Sequence, residues 1–288
     1  MSAIIEVRDL CHTYSVDTPF QFDALKHLNF EVEKGELLAV IGHTGSGKST
    51  LLQHLNGLLK PTSGDVLLGG VSIWKDKQTV REAHFRVGLV FQYPEHQLFE
   101  DTVRKDIAFG PKNQGLKAEE IERRVLQAAR FAGVDEAVLD KSPFDLSGGQ
   151  KRRAAIAGVI AMQPEIVIFD EPTAGLDPAG CASLLENIRN YRKATGATVI
   201  MVSHSMDDVA AMADRLLVLD HGTVAFLGTP SEVFTHAAEL HAIGLAVPQV
   251  TKLFLRLNEL GLPVDSATYT FEDALAQLKA LKGGRGKC

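Results

Sequence analysis

The chain has 288 residues, 45% of them hydrophobic, enough for one large α/β domain or a domain with a smaller appendage, and too apolar for a disordered protein. Its formal net charge of −6 argues against a dedicated nucleic-acid binder, which shows a basic face. Three scattered cysteines, Cys11, Cys181 and Cys288, exclude a disulfide framework and a CxxC zinc site, and favour a reducing setting.

Residues 1–10 carry acids where a signal peptide needs a basic region and an apolar run. Residues 4–7 and 28–32 read as short strands, and Tyr14 between them is a candidate to stack on adenine, with core packing as its competing role. Residues 36–41 form a continuous apolar run ended by Gly42, the pattern of a buried strand. The loop Gly42-His43-Thr44-Gly45-Ser46-Gly47-Lys48-Ser49-Thr50 then opens a helix predicted over 49–59, with Leu51, Leu52, Leu55 and Leu58 at helical spacing. Strand, glycine loop and helix are the context a phosphate-binding loop requires. Glycines let consecutive N–H groups aim at phosphate oxygens, Lys48 is placed to reach the β- and γ-phosphates, and the Ser49 hydroxyl is a Mg²⁺ ligand.

A turn and strand follow over 61–70, and another apolar strand over 87–91 ends at Gln92, whose amide can ligate Mg²⁺ and orient water. Patterns over 101–162 are mostly helical, interrupted at Gly110-Pro111, Gly133 and Ser142-Pro143. The longest nearly uncharged apolar stretch, 154–162, is far shorter than the roughly 20 residues that span a bilayer. This helical stretch carries Leu146-Ser147-Gly148-Gly149-Gln150, where a serine and two glycines at a helix start offer a hydroxyl and free N–H groups. A simple capped helix is the alternative. Two anion sites on separate segments are redundant for one triphosphate, and a second subunit that receives this segment at its own γ-phosphate resolves the redundancy.

The strand over 165–169 ends in Asp170 and Glu171. Asp170 is placed to hold Mg²⁺ and Glu171 to take a proton from the attacking water. Neighbouring strand residues point to opposite faces, so both can serve one site only if the alternation relaxes just before Pro172. A helix over 179–195 leads to a strand over 198–203, followed by His204, a candidate partner of the γ-phosphate. Gln92 and His204 gain weight from lying at the carboxyl ends of predicted parallel strands, where open α/β sheets bind ligands. Beyond residue 230, two amphipathic stripes, Val250, Leu253, Phe254, Leu257 and Leu260, then Phe271, Leu275, Leu278 and Leu281, predict a helical appendage over 231–282, with a disordered tail at 283–288.

With these residues assembled, 3–230 resembles the ATP-binding-cassette (ABC) ATPases. The resemblance rests on Tyr14, the 42–50 loop, Gln92, the Leu146–Gln150 signature, Ile166-Val167-Ile168-Phe169-Asp170-Glu171-Pro172, Ala174-Gly175-Leu176-Asp177 and Ser203-His204. It implies an α/β P-loop NTPase fold with a helical subdomain at about 101–162 and an antiparallel β subdomain, ATP and Mg²⁺ as ligands, Glu171 as catalytic base, and Asp177 in a dimer-interface loop. It also implies a head-to-tail dimer holding two ATPs, with the signature acting in trans.

A narrower resemblance lies in Phe91-Gln92-Tyr93-Pro94-Glu95-His96-Gln97-Leu98-Phe99 and Asp106-Ile107-Ala108-Phe109-Gly110-Pro111, which look like the second (A-prime) ATPase of energy-coupling factor (ECF) transporters. That family implies uptake of vitamins or other micronutrients and a related, non-identical partner ATPase. It also implies a membrane T component, an S component engaged indirectly, and a peripheral place on the cytoplasmic face of the cell membrane. Competing readings are the ATPase of a cobalt, nickel or generic solute importer, a soluble ABC protein, and an ATP sensor that does not cycle. The soluble class predicts a long coiled-coil insertion or two cassettes in one chain, and neither is present; intact Asp170, Glu171 and His204 argue against the sensor.

Overall fold

The structure, a computed structural model, describes residues 3–284. Strands β1 (Ala3–Tyr14) and β2 (Phe22–Glu33) form an antiparallel hairpin, and β3 (Leu37–Ile41), buried along its whole length, leads to α1 (Lys48–Leu55). Next come β4 (Ser63–Leu68), β5 (Val71–Ser72), α2 (Lys77–Arg86) and β6 (Val87–Val90). Helices α3 (Val103–Asn113), α4 (Ala118–Ala132) and α5 (Gly148–Ile160) separate β6 from β7 (Ile166–Asp170). Then follow α6 (Pro178–Thr195), β8 (Thr198–Val202), α7 (Met206–Met212), β9 (Arg215–Asp220) and β10 (Thr223–Gly228). The last elements are α8 (Pro230–Phe234), α9 (Ala237–Ala242), α10 (Gln249–Glu259) and α11 (Phe271–Gly284).

The larger sheet has the order β10-β9-β3-β8-β7-β6, and all its neighbours pair in parallel except the β9–β10 hairpin. Its register places the site. Val40 pairs with Val202, Asp170 with Val202, and Val90 with Phe169, so the residues just beyond β3, β6, β7 and β8 emerge along one edge. Those residues are the phosphate loop, Gln92, Glu171 and His204. The smaller sheet, β2-β1-β4-β5, is antiparallel.

One core cluster joins α3, α4 and α5, through residues such as Ile107, Val125, Ala129 and Ala157, to Val167 and Phe169 on one face of β7. The other face, with Ile166 and Ile168, packs into a second cluster with Leu28, Leu51 and Val66. Period-two alternation inside a strand buried on both faces thus ties the helical layer to the β subdomain.

The elements differ from the sequence-based expectation in five places. β1 and β2 are each 12 residues long, not two short strands, because bulges at positive-φ Asp9 (47°) and His27 (52°) carry the pairing past the points where the apolar pattern breaks. α1 stops at Leu55 rather than residue 59, since Gly57 turns left-handed (φ 79°) and Asn56 donates its side-chain amide to the Val87 carbonyl. α2, unexpected from the sequence, is mostly polar with only Ala83 buried, and a capping box between Asp76 and Thr79 fixes its start. α3 runs through Gly110-Pro111, where the sequence suggested a break: Pro111 sits in the last turn, and a Cβ on Gly110 would lie 2.5 Å from Met162 Cγ. β9 and β10, also unassigned in the sequence reading, extend the large sheet at its edge.

The region after residue 230 divides. Phe234, Leu240, Leu245 and Val247 pack against Ile41 and Val218 of the main sheet, whereas Phe254, Val264 and Ala274 form a small cluster of their own. Residues 285–288 of the expected disordered tail lie outside the described residues, and 283–284 continue α11. Among the described residues, no helix is long and apolar enough to cross a membrane.

Candidate functional site

The loop between β3 and α1 has the geometry its glycines dictate. Gly45 and Gly47 take φ of 84° and 102°, a region L-residues enter at a cost. A Cβ on Gly42 would stand 2.4 Å from Ser46 Oγ and 2.5 Å from the Leu219 carbonyl oxygen. Ser46 is fully buried, its Oγ has no hydrogen-bond partner among the described residues, and its carbonyl accepts from Gly222 N–H at 3.1 Å. Lys48 Nζ donates to the carbonyls of Gly42 (2.8 Å) and His43 (3.0 Å), so the ammonium is held over the loop. Burial pushes the Lys48 pKa down, while Glu171 and Asp170 pull it back up.

The end of β7 resolves the question of the two carboxylates. Glu171 adopts φ 50°, a left-handed conformation that breaks the strand alternation. Asp170 and Glu171 both lie close enough to Lys48 to act on its charge. Ser49 Oγ donates to Asp170 Oδ2 at 3.2 Å. Gln92 Nε2 donates to Glu171 Oε2 at 2.8 Å, and His204 Nε2 lies 2.7 Å from Glu171 Oε1. Glu171 is thereby held between the ends of β6 and β8. Burial raises the Asp170 pKa and Glu171 adds to the rise, while the Ser49 hydrogen bond and the charges of Lys48 and His204 oppose it.

A cavity of about 400 Å³ opens here, lined by Phe22, Ala24, Thr44, Gly45, Gly47, Lys48, Ser49, Thr50, Gln92, Glu171 and His204. Phe22 and Ala24 are additions to the residues expected from sequence. Phe22 is the cross-strand partner of Tyr14 and half-exposed. Tyr14 itself does not line the cavity. Its hydroxyl lies 3.2 Å from Thr50 Oγ1 and its ring meets His12 edge-on.

The signature lies elsewhere in the chain, and none of its residues lines this cavity. Ser147 caps α5, its Oγ accepting from Gln150 N–H (3.4 Å) while Gln150 Oε1 accepts from Ser147 N–H (2.9 Å). Leu146 is buried. Gly148 and Gly149 have ordinary φ, and among the described residues a Cβ on either would meet nothing within 4 Å, so no contact there requires glycine. Asp177 caps α6, its Oδ1 accepting from Gly180 N–H at 2.6 Å.

A further pair was not visible in the sequence, its members being 57 residues apart. Arg152, one turn into α5, donates to Glu95 and to the carbonyls of Pro172 and Ala174.

The sequence profile of the ABC transporter family matches residues 25–174, more than half the chain, taking in the phosphate loop, the signature and the acidic strand. The chain is 51% identical to the energy-coupling factor transporter ATP-binding protein EcfA2 of Clostridium tetani, over 95% of this chain and 96% of that protein. It belongs to the ABC transporter family, among its ATP-binding proteins. Two solved ABC structures share its fold. The cbiO1 of Clostridium perfringens, described as part of the ABC transporter complex cbiONQ, superposes with TM-score 0.75 at 38% identity, covering 91% of this chain and 98% of that one. The ATP-binding cassette MJ0796, described as a dimer in a post-hydrolysis state bound to ADP and Pi, gives TM-score 0.70 at 27% identity, covering 78% and 98%. The ABC profile ends at Ala174, so Asp177 and His204 lie beyond the matched span.

Proposed function

We propose that this chain hydrolyses ATP to ADP and phosphate as one of two ATPases of an ECF-type importer, at the cytoplasmic face of the membrane. The observation that carries the chemistry is the Glu171 carboxylate, held at 2.8 Å by Gln92 and 2.7 Å by His204 beside the phosphate loop. Glu171 takes the proton of the attacking water, and His204 and Gln92 fix the orientation of its two oxygens. Lys48 and the loop N–H groups between Gly42 and Lys48 hold the β- and γ-phosphates.

The Ser49 hydroxyl, the Asp170 carboxylate and the Gln92 amide oxygen form a hard-oxygen donor set that fits Mg²⁺. The Glu171 carboxylate close to Asp170 adds negative charge that a cation would offset. Bound there, Mg²⁺ would supply positive charge against the phosphate oxygens. Phe22 and Tyr14 are offered to the adenine, Phe22 from the cavity wall and Tyr14 through its contact with Thr50.

Ser147, Gly148 and Gly149 complete the site of a second, related ATPase, while this chain's own triphosphate is completed by that partner's signature. The support is the open space around both glycines. Asp177 belongs to the same face. ATP stabilises the closed pair and hydrolysis releases it, which transmits motion to a membrane T component and, through it, to an S component that binds a vitamin or other micronutrient. Support for the T-component contact comes from an apolar groove of about 320 Å³ beside the Gln92 loop, between Leu98, Phe99, Phe109 and Met162. Phe99 of this groove is exposed, as is Tyr93 in the preceding loop.

Affinity purification of the tagged chain from native membranes tests the assembly. A second ABC ATPase and a multi-spanning membrane protein in stoichiometric amounts are expected. Recovery of the chain alone, or of a solute-binding importer lacking a separate S component, contradicts it.

A further inference from the structure

Across the phosphate loop from Ser49 and Asp170, three ligand-bearing side chains converge that the ATPase reading does not use. They are His43, Asp220 and His221, whose nearest ligand atoms all lie within 4.8 Å of one another. His43 contributes its backbone to the phosphate loop but turns its ring away, towards the β9–β10 turn. His221 and Gly222 are the two central residues of that turn, with φ of 46° and 80°, and Asp220 pairs with Thr223 across it. Positive φ at both positions gives a tight hairpin matched to the strand twist.

The hydrogen bonding of His43 makes this more than a cluster. Its Nδ1 lies 2.7 Å from the Thr44 carbonyl oxygen, which can only accept, so Nδ1 carries the proton. Its Nε2 lies 3.1 Å from Asp220 Oδ1, a second group that can only accept. A neutral imidazole has one N–H, and cannot satisfy both. A metal ion at Nε2 satisfies both contacts at once, as a second proton on the ring also does. His221 brings a third ligand atom to the same place: its Nε2 lies 3.8 Å from the same Asp220 oxygen and its ring centroid 4.8 Å from that of His43.

We infer that His43 Nε2, Asp220 Oδ1 and His221 Nε2 bind a first-row divalent transition ion of the Zn²⁺ class. Two imidazoles and one carboxylate, with a fourth position open to water, are a recurrent zinc donor set. Ligand atoms on a tetrahedral zinc at about 2.1 Å stand roughly 3.4 Å apart, so the observed spacings need only small side-chain rotations. The Thr44 carbonyl is the outer-shell acceptor that fixes a ligating histidine in the right tautomer. His221 is exposed, which gives the ion an entry path, while His43 and Asp220 are mostly covered.

The ion would pin the hairpin turn to the phosphate loop. The two are already stitched there by Gly222 N–H to the Ser46 carbonyl (3.1 Å), and the turn is stitched to β2 by Lys26 N–H to the Gly222 carbonyl (2.8 Å). Metal at this position would stiffen the loop that receives the triphosphate, from the side opposite the Mg²⁺ ligands.

Calorimetric titration of the chelator-stripped full chain with Zn²⁺, without nucleotide or Mg²⁺, tests the site. One ion per chain is expected, with a rise in melting temperature. His221→Asn keeps a residue that tolerates left-handed φ, and Asp220→Asn keeps the shape of the carboxylate; each should weaken binding by at least roughly tenfold and abolish the melting shift. Ser49→Ala should bind Zn²⁺ as the parent does. Sub-stoichiometric binding, or binding unchanged in both His221→Asn and Asp220→Asn, overturns the inference. So does a loss confined to Ser49→Ala, which would place the ion among the Mg²⁺ ligands.

Discussion

Arg152 grips Glu95 through two hydrogen bonds, Nε to Oε2 at 3.2 Å and Nη2 to Oε1 at 3.1 Å, and its Nη1 reaches the carbonyls of Pro172 (3.2 Å) and Ala174 (2.5 Å). One side chain thus joins the helix that begins with the signature, the loop that follows Gln92 and the segment that follows Glu171. The pair is largely buried, at 6% and 17% side-chain exposure. Burial pushes the Glu95 pKa up, but the hydrogen bonds and charge of Arg152 outweigh it and hold the carboxyl below its ordinary 4.5.

Removing Arg152 strands a buried carboxylate and two carbonyls. Arg152→Ala is expected to cost about 3–5 kcal/mol in urea unfolding at pH 7. The depressed Glu95 pKa means that its contribution is present above 4.5 and is lost as pH falls through the lower, folded value. The stability gap between wild type and Glu95→Gln should therefore shrink on acidification below 4.5. A gap that widens there contradicts the pairing.

Asp170 has the opposite sign. Its raised pKa means that the folded state holds the proton more tightly, so stability declines as pH rises from the ordinary 3.8 through the folded value. Asp170→Asn should melt higher than wild type at neutral pH, with the difference closing in acid, and should lose ATP hydrolysis. The stability deficit would then be a consequence of holding two carboxylates at a cation site.

The two signature glycines separate fold from assembly. Open space around their Cβ positions means that Gly148→Ala and Gly149→Ala should leave the isolated chain as stable, or more stable by up to about 1 kcal/mol. In the complex, ATP turnover should fall by more than about tenfold, a barrier change of roughly 1.4 kcal/mol. Equal loss of stability and turnover would show that the glycines serve the monomer fold.

Phe22 lines the cavity and Tyr14 does not. Phe22→Ala is expected to weaken ATP binding by roughly tenfold, within the stacking range of about 1–3 kcal/mol, with turnover at saturating ATP little changed. Equilibrium binding of a fluorescent ATP analogue measures the first and phosphate release the second.

Much of this site was legible because its chemistry depends on short, local patterns. A glycine loop between an apolar strand and a helix, and a strand ending in Asp170-Glu171, each announce their geometry within ten residues or so. What escaped the sequence depends on distance or on backbone detail. The left-handed φ of Glu171 is invisible in its residue type. Arg152 and Glu95 meet only because α5 packs beside the Gln92 loop. β1 and β2 looked short because bulges interrupt the alternation that marks a strand. Gly110-Pro111 looked like a break because a proline in a last turn reads, in sequence, like a proline that ends a helix.

The central claim is that Glu171, held by Gln92 and His204, is the base in an ATP site of this chain. Phosphate release by Glu171→Gln in the assembled complex, at saturating Mg·ATP, tests it most directly. ATP binding should be retained and turnover nearly abolished, with the closed dimer accumulating. Turnover at the wild-type rate would contradict the account.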